Sequence, residues 1–275
     1  MLSSMGVSYF FFISYSSSWK KSKPNEKSSL DLYENSLSSN QKMEKSKILF
    51  LIRAYNEATR IVGVIEGIFG AGYTRVLVVD DGSTDGTGDL LARAFGDTLI
   101  YLRHPINRWA WAALETGFAW VRGSFDDFEY VVTFDADGQH GVMDMDRFIE
   151  KFESDETVDV VYGSRFIEKT NSNVPLMRKL ILTGGRIFTS IISWVHLTDA
   201  HNGYRMMKKK VIDDIHLTMD GMEYASELID EIRKAGYTIS EVPVNIHYDS
   251  YTLAKGQRYG GALRIAARMI YKKFF

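Results

Sequence analysis

The chain of 275 residues carries 33 Lys+Arg against 35 Asp+Glu, a formal balance of −2, with 45% hydrophobic and 25% charged residues. This globular composition excludes wholesale disorder, and the missing basic excess argues against a dedicated nucleic-acid binder. There is no cysteine, which removes disulfides, thiolate metal sites and thiol nucleophiles together and fits a reducing compartment.

Residues 1–46 hold 14 serines and a single glycine. Such a segment buries too little apolar surface to offset its ordering entropy, so it reads as a disordered leader. The alternative is a tether built on Tyr9–Phe12 and Trp19. No apolar run approaches the ~20 residues that cross a bilayer. From Lys47 the pattern becomes regular. Continuous apolar runs of strand length occur at Ile48–Ile52, Val76–Val79, Leu99–Leu102, Tyr130–Phe134 and Val158–Tyr162. Amphipathic stretches of helix length lie between them, over 57–70, 84–95, 108–122 and 145–154. Apolar runs without alternation indicate strands buried on both faces, hence a mainly parallel sheet in an α/β sandwich. A long helix is predicted over 175–195, a short strand over 203–207, a helix over 222–235 and a strand over 238–247. The expected organisation is one α/β domain over 47–259 and a basic amphipathic helix over 260–275.

Ligands of open parallel sheets bind beyond the carboxyl ends of the strands. Three polar clusters fall there: Arg53-Ala54-Tyr55-Asn56-Glu57, Asp80-Asp81-Gly82-Ser83-Thr84-Asp85-Gly86-Thr87, and Asp135-Ala136-Asp137-Gly138-Gln139-His140. Two carboxylates two residues apart can converge on one ion in a turn, and they repel unless a cation or a proton intervenes. Hard oxygen donors favour Mg or Mn, so Asp135, Asp137 and Gln139 are the candidate metal ligands. Ser83 or Thr84 is positioned to cap the helix that follows, with Asp85 at its positive end. Two successive acids at Asp80-Asp81 exceed what capping needs and leave one to accept hydrogen bonds from a base or ribose. No dinucleotide fingerprint, P-loop or G-x-S-x-G elbow is present. A second metal site at His196, Asp199 and His201 is weaker, since His is commonly a packed or hydrogen-bonding residue.

These clusters, with Gly163-Ser164-Arg165-Phe166, resemble glycosyltransferase family 2 in order and spacing, over residues 47 to about 260. They are most similar to the branch of dolichol-phosphate mannose synthases and related polyprenyl-phosphate sugar transferases. The resemblance implies a GT-A fold (a Rossmann-like sandwich) and inverting transfer from a UDP- or GDP-sugar, dependent on Mg or Mn. It implies that Tyr55, Glu57, Val79 and Asp81 contact the nucleoside, that Asp135 and Ala136 lie along the donor, and that Asp137 and Gln139 hold the metal. Arg165 and Arg178 would meet phosphate groups, Arg165 and Lys255 would donate to developing negative charge, and Arg205 would bind substrate. Glu227, then Glu223, would be the base for a hydroxyl acceptor; a phosphate acceptor is already anionic and needs little base. Four positions depart from the family. Arg53 stands where proline is usual, Trp109 and Trp111 take glycine-like positions, and Asp249 falls where a basic residue is expected.

A polyprenyl phosphate is the expected acceptor, and the basic tail from Lys255 suits an anionic membrane surface. The implied location is cytoplasmic, with a peripheral seat at the cytoplasmic membrane face. A saccharide hydroxyl acceptor in cell-surface polysaccharide synthesis and a non-catalytic nucleotide-sugar binder remain the alternatives.

Overall fold

The computed structural model describes residues 43–167, 183–184, 186, 195–219 and 223–249. Seven strands form one sheet: β1 (Ile48–Ala54), β2 (Arg75–Asp80), β3 (Ile100–Arg103), β4 (Tyr130–Asp135), β5 (Val160–Ser164), β6 (Arg205–Lys208) and β7 (Ile239–Pro243), in the spatial order β3-β2-β1-β4-β6-β5-β7. The helices with described bounds are α1 (Ile61–Gly70), α2 (Thr87–Phe95), α3 (Trp109–Gly123), α4 (Met145–Ser154), α5 (Lys209–Asp214) and α6 (Tyr224–Lys234).

The unbroken apolar run of β1 is buried on both faces. Ile48, Phe50 and Ile52 pack with Ile61, Ile65 and Ile68 of α1 and Phe148 of α4 on one side. Leu49 and Leu51 pack with Leu114 and Phe118 of α3 and Leu228 and Ile229 of α6 on the other. Period-2 side-chain alternation thus feeds two apolar layers from one strand, which is why the sequence reads as continuous rather than alternating.

The strand pairs β1–β2, β1–β4, β2–β3 and β5–β7 are parallel, as expected. β6 is not: it runs antiparallel to both β4 and β5. Four residues, Arg-Met-Met-Lys, carry no period that reveals direction. The short helix α5 also departs from the reading, which left no element there. Lys45–Lys47 form a 3-10 turn, and the Lys45 ammonium donates to the Ala71 carbonyl at 2.7 Å. Of the helix expected over 175–195, Thr183, Gly184, Arg186 and Val195 are described; the first three are helical and Val195 is not. The leader up to residue 42, Arg178, Lys255 and the helix predicted over 260–275 lie outside the described residues. Among the described residues no helix is long and apolar enough to cross a membrane.

Candidate active site

The loops that leave β1, β2 and β4 converge on one pocket of about 520 Å³. Arg53, Tyr55, Glu57, Asp81, Asn107, Trp109, Asp135, Ala136 and Asp137 are among its lining residues. Three separate sequence clusters therefore share one hollow. It sits at the carboxyl edge of the parallel strands, where oriented backbone and helix starts leave polar groups available.

The β1 and β2 loops lock together through side chains. Asn56, at φ 53°, donates its N–H to Ser83 Oγ at 2.9 Å, and its Oδ1 accepts from Thr84 N–H at 2.8 Å. The Ala58 N–H reaches Asp85 Oδ2 at 3.0 Å, and the Glu57 N–H reaches Thr87 Oγ1 at 3.0 Å. Ser83 therefore serves the β1 loop rather than capping α2, as its spacing had suggested. Asp85 takes over at the helix start, accepting from the Thr87 N–H and hydroxyl.

The two acids after β2 divide their work. Asp80 is fully buried and structural: its oxygens accept from the Ser83 N–H at 2.8 Å and the Tyr101 hydroxyl at 2.6 Å. Asp81 lines the pocket. Its Oδ1 meets His104 Nδ1 at 2.7 Å and accepts the Arg108 N–H at 2.9 Å, which leaves Oδ2 for a ligand. His104 Nε2 meets Thr116 Oγ1 at 2.9 Å, so the imidazole is held from both sides. Gly82 is required here: at φ 76° its absent Cβ would fall 2.6 Å from the Ile106 carbonyl carbon. That clearance lets the 104–108 segment close over Asp81.

The acids after β4 are electrostatically unequal. Asp135 forms an ion pair with Arg53 and meets His140 Nε2 at 3.1 Å. Burial alone would raise its carboxyl, but the Arg53 guanidinium and the His140 hydrogen bond outweigh that and hold it well below the usual carboxylate range. Asp137 accepts one hydrogen bond from the Gln139 N–H at 3.1 Å and has no ion pair among the described residues. Burial, and then the charge of Asp135, push its carboxyl up to about 6. Gly203 underlies the pair, since a Cβ there would come within 2.3 Å of Asp135 Oδ2.

No three His, Asp or Glu side chains converge as a ready-made metal cage among the described residues. The donor set instead suits an ion held by one or two carboxylates and completed by substrate phosphates, the habit of Mg and of similar hard ions. Asp137, a half-buried carboxylate short of positive charge, fits that requirement. Asp135 is already ion-paired with Arg53 and hydrogen-bonded to His140. Gln139 follows Asp137 in the same turn, and its carbonyl accepts the His247 N–H at 3.1 Å.

Other predicted site residues lie apart from the pocket lining. Val79 is buried in β2, opposite Arg53 in register. Arg165 is buried, and Asp199 accepts from its Nε at 2.5 Å and from Nη2 at 2.6 Å, while Nη1 bonds the Tyr248 hydroxyl. Its guanidinium thus ties β5 to the segments around Asp199 and Tyr248. The same pairing engages both oxygens of Asp199. Arg205 is fully buried beside the Tyr162 ring, 5.1 Å from its centroid, and none of its guanidinium nitrogens has a hydrogen-bond partner among the described residues. Glu227 is buried too. Its Oε1 accepts from Thr218 N–H at 3.0 Å and Thr218 hydroxyl at 2.7 Å, and its Oε2 from Met219 N–H at 2.9 Å. Glu223 is equally buried. Through these bonds Glu227 holds Thr218 and Met219.

Sequence reasoning missed three site residues. His104 orients Asp81, Tyr224 supports Arg53 by accepting its Nη1–H at 2.6 Å, and His140 flanks Asp135. His104 left a local signal as a polar residue directly after a strand, and His140 stood at the end of the third polar cluster; Tyr224 left none.

Residues 50–216 match the glycosyl transferase family 2 model. The UDP-N-acetylglucosamine–dolichyl-phosphate N-acetylglucosaminyltransferase of Methanococcus voltae is 27% identical over 249 residues, covering 84% of this chain and 98% of the relative. The polyprenol monophosphomannose synthase of Mycolicibacterium smegmatis is 30% identical over 206 residues, covering 72% and 76%. In fold, the chain is similar to glucosyl-3-phosphoglycerate synthase from Mycobacterium tuberculosis, solved in complex with Mn2+, UDP and glucosyl-3-phosphoglycerate. That likeness has a TM-score of 0.63 at 13% identity and covers 92% of this chain and 86% of the other. With its mostly parallel sheet, its pocket at the strand ends and these matches, the chain belongs to glycosyl transferase family 2 and is a glycosyltransferase of GT-A fold.

Proposed function

We propose that the enzyme transfers a sugar, with inversion, from a UDP- or GDP-sugar to a polyprenyl phosphate. The observation that carries this reading is that Asp81 and Asp137, from different strand ends, line one pocket. One would bind the nucleoside end of the donor and the other the diphosphate end. Tyr55 is partly exposed at the same pocket and offers a ring face, while Asp81 Oδ2 offers an acceptor for a base or ribose donor.

Asp137, with Gln139 and with Asp135 beside it, would hold the Mg or Mn ion. When bound, that ion stabilises the negative charge growing on the departing diphosphate, a contribution of several kcal/mol. Arg53 keeps Asp135 ionised and fixed, so Asp137 meets a constant neighbouring field. Ala136, buried between the two acids, leaves room for the donor to run along the turn. Arg205, whose buried guanidinium has no hydrogen-bond partner among the described residues, and Lys255 are the candidate cations for phosphate on the acceptor side.

A phosphate acceptor is supported by where Glu227, the base expected from the resemblance, sits among the described residues. The Glu227 carboxylate is committed to the 218–219 backbone, and a hydroxyl acceptor would need a carboxylate within hydrogen-bond reach. A phosphate acceptor is already a nucleophile. The polyprenyl-phosphate acceptors in the names of the two relatives agree with this choice. The enzyme would then work at the cytoplasmic membrane face, resting there peripherally through its basic C-terminal stretch.

The test screens UDP- and GDP-sugars for Mn- or Mg-dependent binding, then offers the tightest donor to polyprenyl phosphate and to saccharide acceptors. Transfer to the lipid phosphate supports the proposal. Transfer only to saccharides overturns the acceptor, and binding without any transfer turns the protein into a sugar-nucleotide binder.

A further inference from the structure

Helix α3 begins at Trp109, whose φ is 74°. Asn56 is the only other described non-glycine residue with positive φ. Asparagine tolerates that region, and its side chain is bonded there. Tryptophan does not: its Cβ crowds the following carbonyl, so a left-handed Trp is strained. Ordinary burial does not hold it in place, because Trp109 is 69% exposed. The residues just after it, Ala112, Ala113 and Leu114, are the ones that pack into the core. The chain therefore bends its backbone unfavourably to set a large apolar ring in water, at the lining of the donor pocket.

The ring's approach is fixed by the same acid that lines the pocket. Asp81 holds His104 and the Arg108 N–H, and Gly82 lets Ile106 and Asn107 close down to contact distance. The Trp109 N–H is bonded by Asn107 Oδ1 at 3.2 Å. The indole is therefore carried on a segment clamped to Asp81. With Tyr55 it gives the pocket two partly exposed aromatic rings beside its acids.

Building on the donor assignment above, we propose that Trp109 is the face-stacking residue of the donor site. Its indole packs on a ring of the bound nucleotide sugar, and this contact offsets the strain of its backbone. Strained residues held at ligand clamps persist for such a reason. An aromatic ring recognises both a base and the C–H face of a hexose, so the shared chemistry is a flat, weakly hydrated ring face.

The test compares wild type, W109G and W109F by calorimetric titration with UDP, GDP and the corresponding sugar nucleotides in Mn2+, alongside thermal unfolding. Glycine relieves the positive φ, so W109G should unfold at the same temperature as wild type or higher. Its donor Kd should nonetheless rise about tenfold, the loss of one stacking contact. W109F should recover most of that affinity. Weakening already present with the free nucleotide assigns the contact to the base, and weakening confined to the sugar nucleotide assigns it to the sugar. A wild type that binds while W109G binds equally well overturns this inference alone. A wild type that binds no nucleotide sugar overturns the donor site itself.

Discussion

Arg53 and Asp135 are register partners on adjacent parallel strands, and their side chains meet as an ion pair at the pocket. The arginine side chain is only 9% exposed, and it also donates to the Tyr224 hydroxyl. A buried guanidinium thus occupies the position where this family usually has proline, and it ties β1, β4 and α6 into one polar contact.

Replacing Arg53 by Ala leaves Asp135 with His140 as its described basic partner and strips Tyr224 of a donor. Breaking such a pair leaves a charge uncompensated, which costs about 3 kcal/mol. Asp135 is one-third exposed, so the loss should fall near or below that figure. Urea unfolding of Arg53→Ala checks it. A midpoint unchanged from wild type would show that the pair contributes nothing to stability.

Asp137→Asn separates function from folding. The Asp137 carboxylate is disfavoured by burial and by Asp135, so a neutral isostere should keep or raise thermal stability. The same change should abolish Mn-dependent binding of the donor, read by calorimetry with and without the metal. Parent-like, metal-dependent binding by Asp137→Asn would remove this residue from the metal site.

Much of this was legible in the sequence, for physical reasons. Ile48–Ile52 and Val76–Val79 are runs that only a doubly covered strand can bury, and the polar clusters follow directly at their ends. What was illegible depends on partners far along the chain. Arg53 meets Tyr224 across 171 positions, and Arg165 meets Asp199 across 34. No spacing rule predicts such pairings, because the sheet order creates them. Glu223 and Glu227 share a helix face as expected, but that face is covered rather than solvated. The direction of β6 was likewise fixed by its neighbours and not by its own four residues.

Glu227→Gln tests whether that acid positions a loop or abstracts a proton. Glutamine must turn an amide donor toward the Thr218 or Met219 N–H, which should destabilise the fold by about 1–2 kcal/mol. Transfer to polyprenyl phosphate, assayed well below the unfolding midpoint, should then stay within a few-fold of wild type. A general base contributes roughly 10²–10⁴-fold. A loss of that size in a stably folded variant would return Glu227 to catalysis.

The last prediction concerns the far edge of the sheet, at the start of β5. Asp159 accepts from Lys210 at 2.8 Å, from Lys208 at 3.3 Å and from the Thr238 N–H at 3.2 Å. Burial would raise its carboxyl, but these donors together hold it below its ordinary value. A depressed folded pKa means stability that is present above the unfolded value of about 3.9 and is lost as pH falls through the folded one. Lys210 is largely exposed, so solvent screening limits the contribution to about 1 kcal/mol. Asp159→Asn should therefore lower the urea midpoint at pH 7. The gap to wild type should close once the pH is low enough to protonate the folded carboxyl. A gap of equal size at pH 7 and at about pH 2 would mean that packing, and not the charge of Asp159, stabilises this edge.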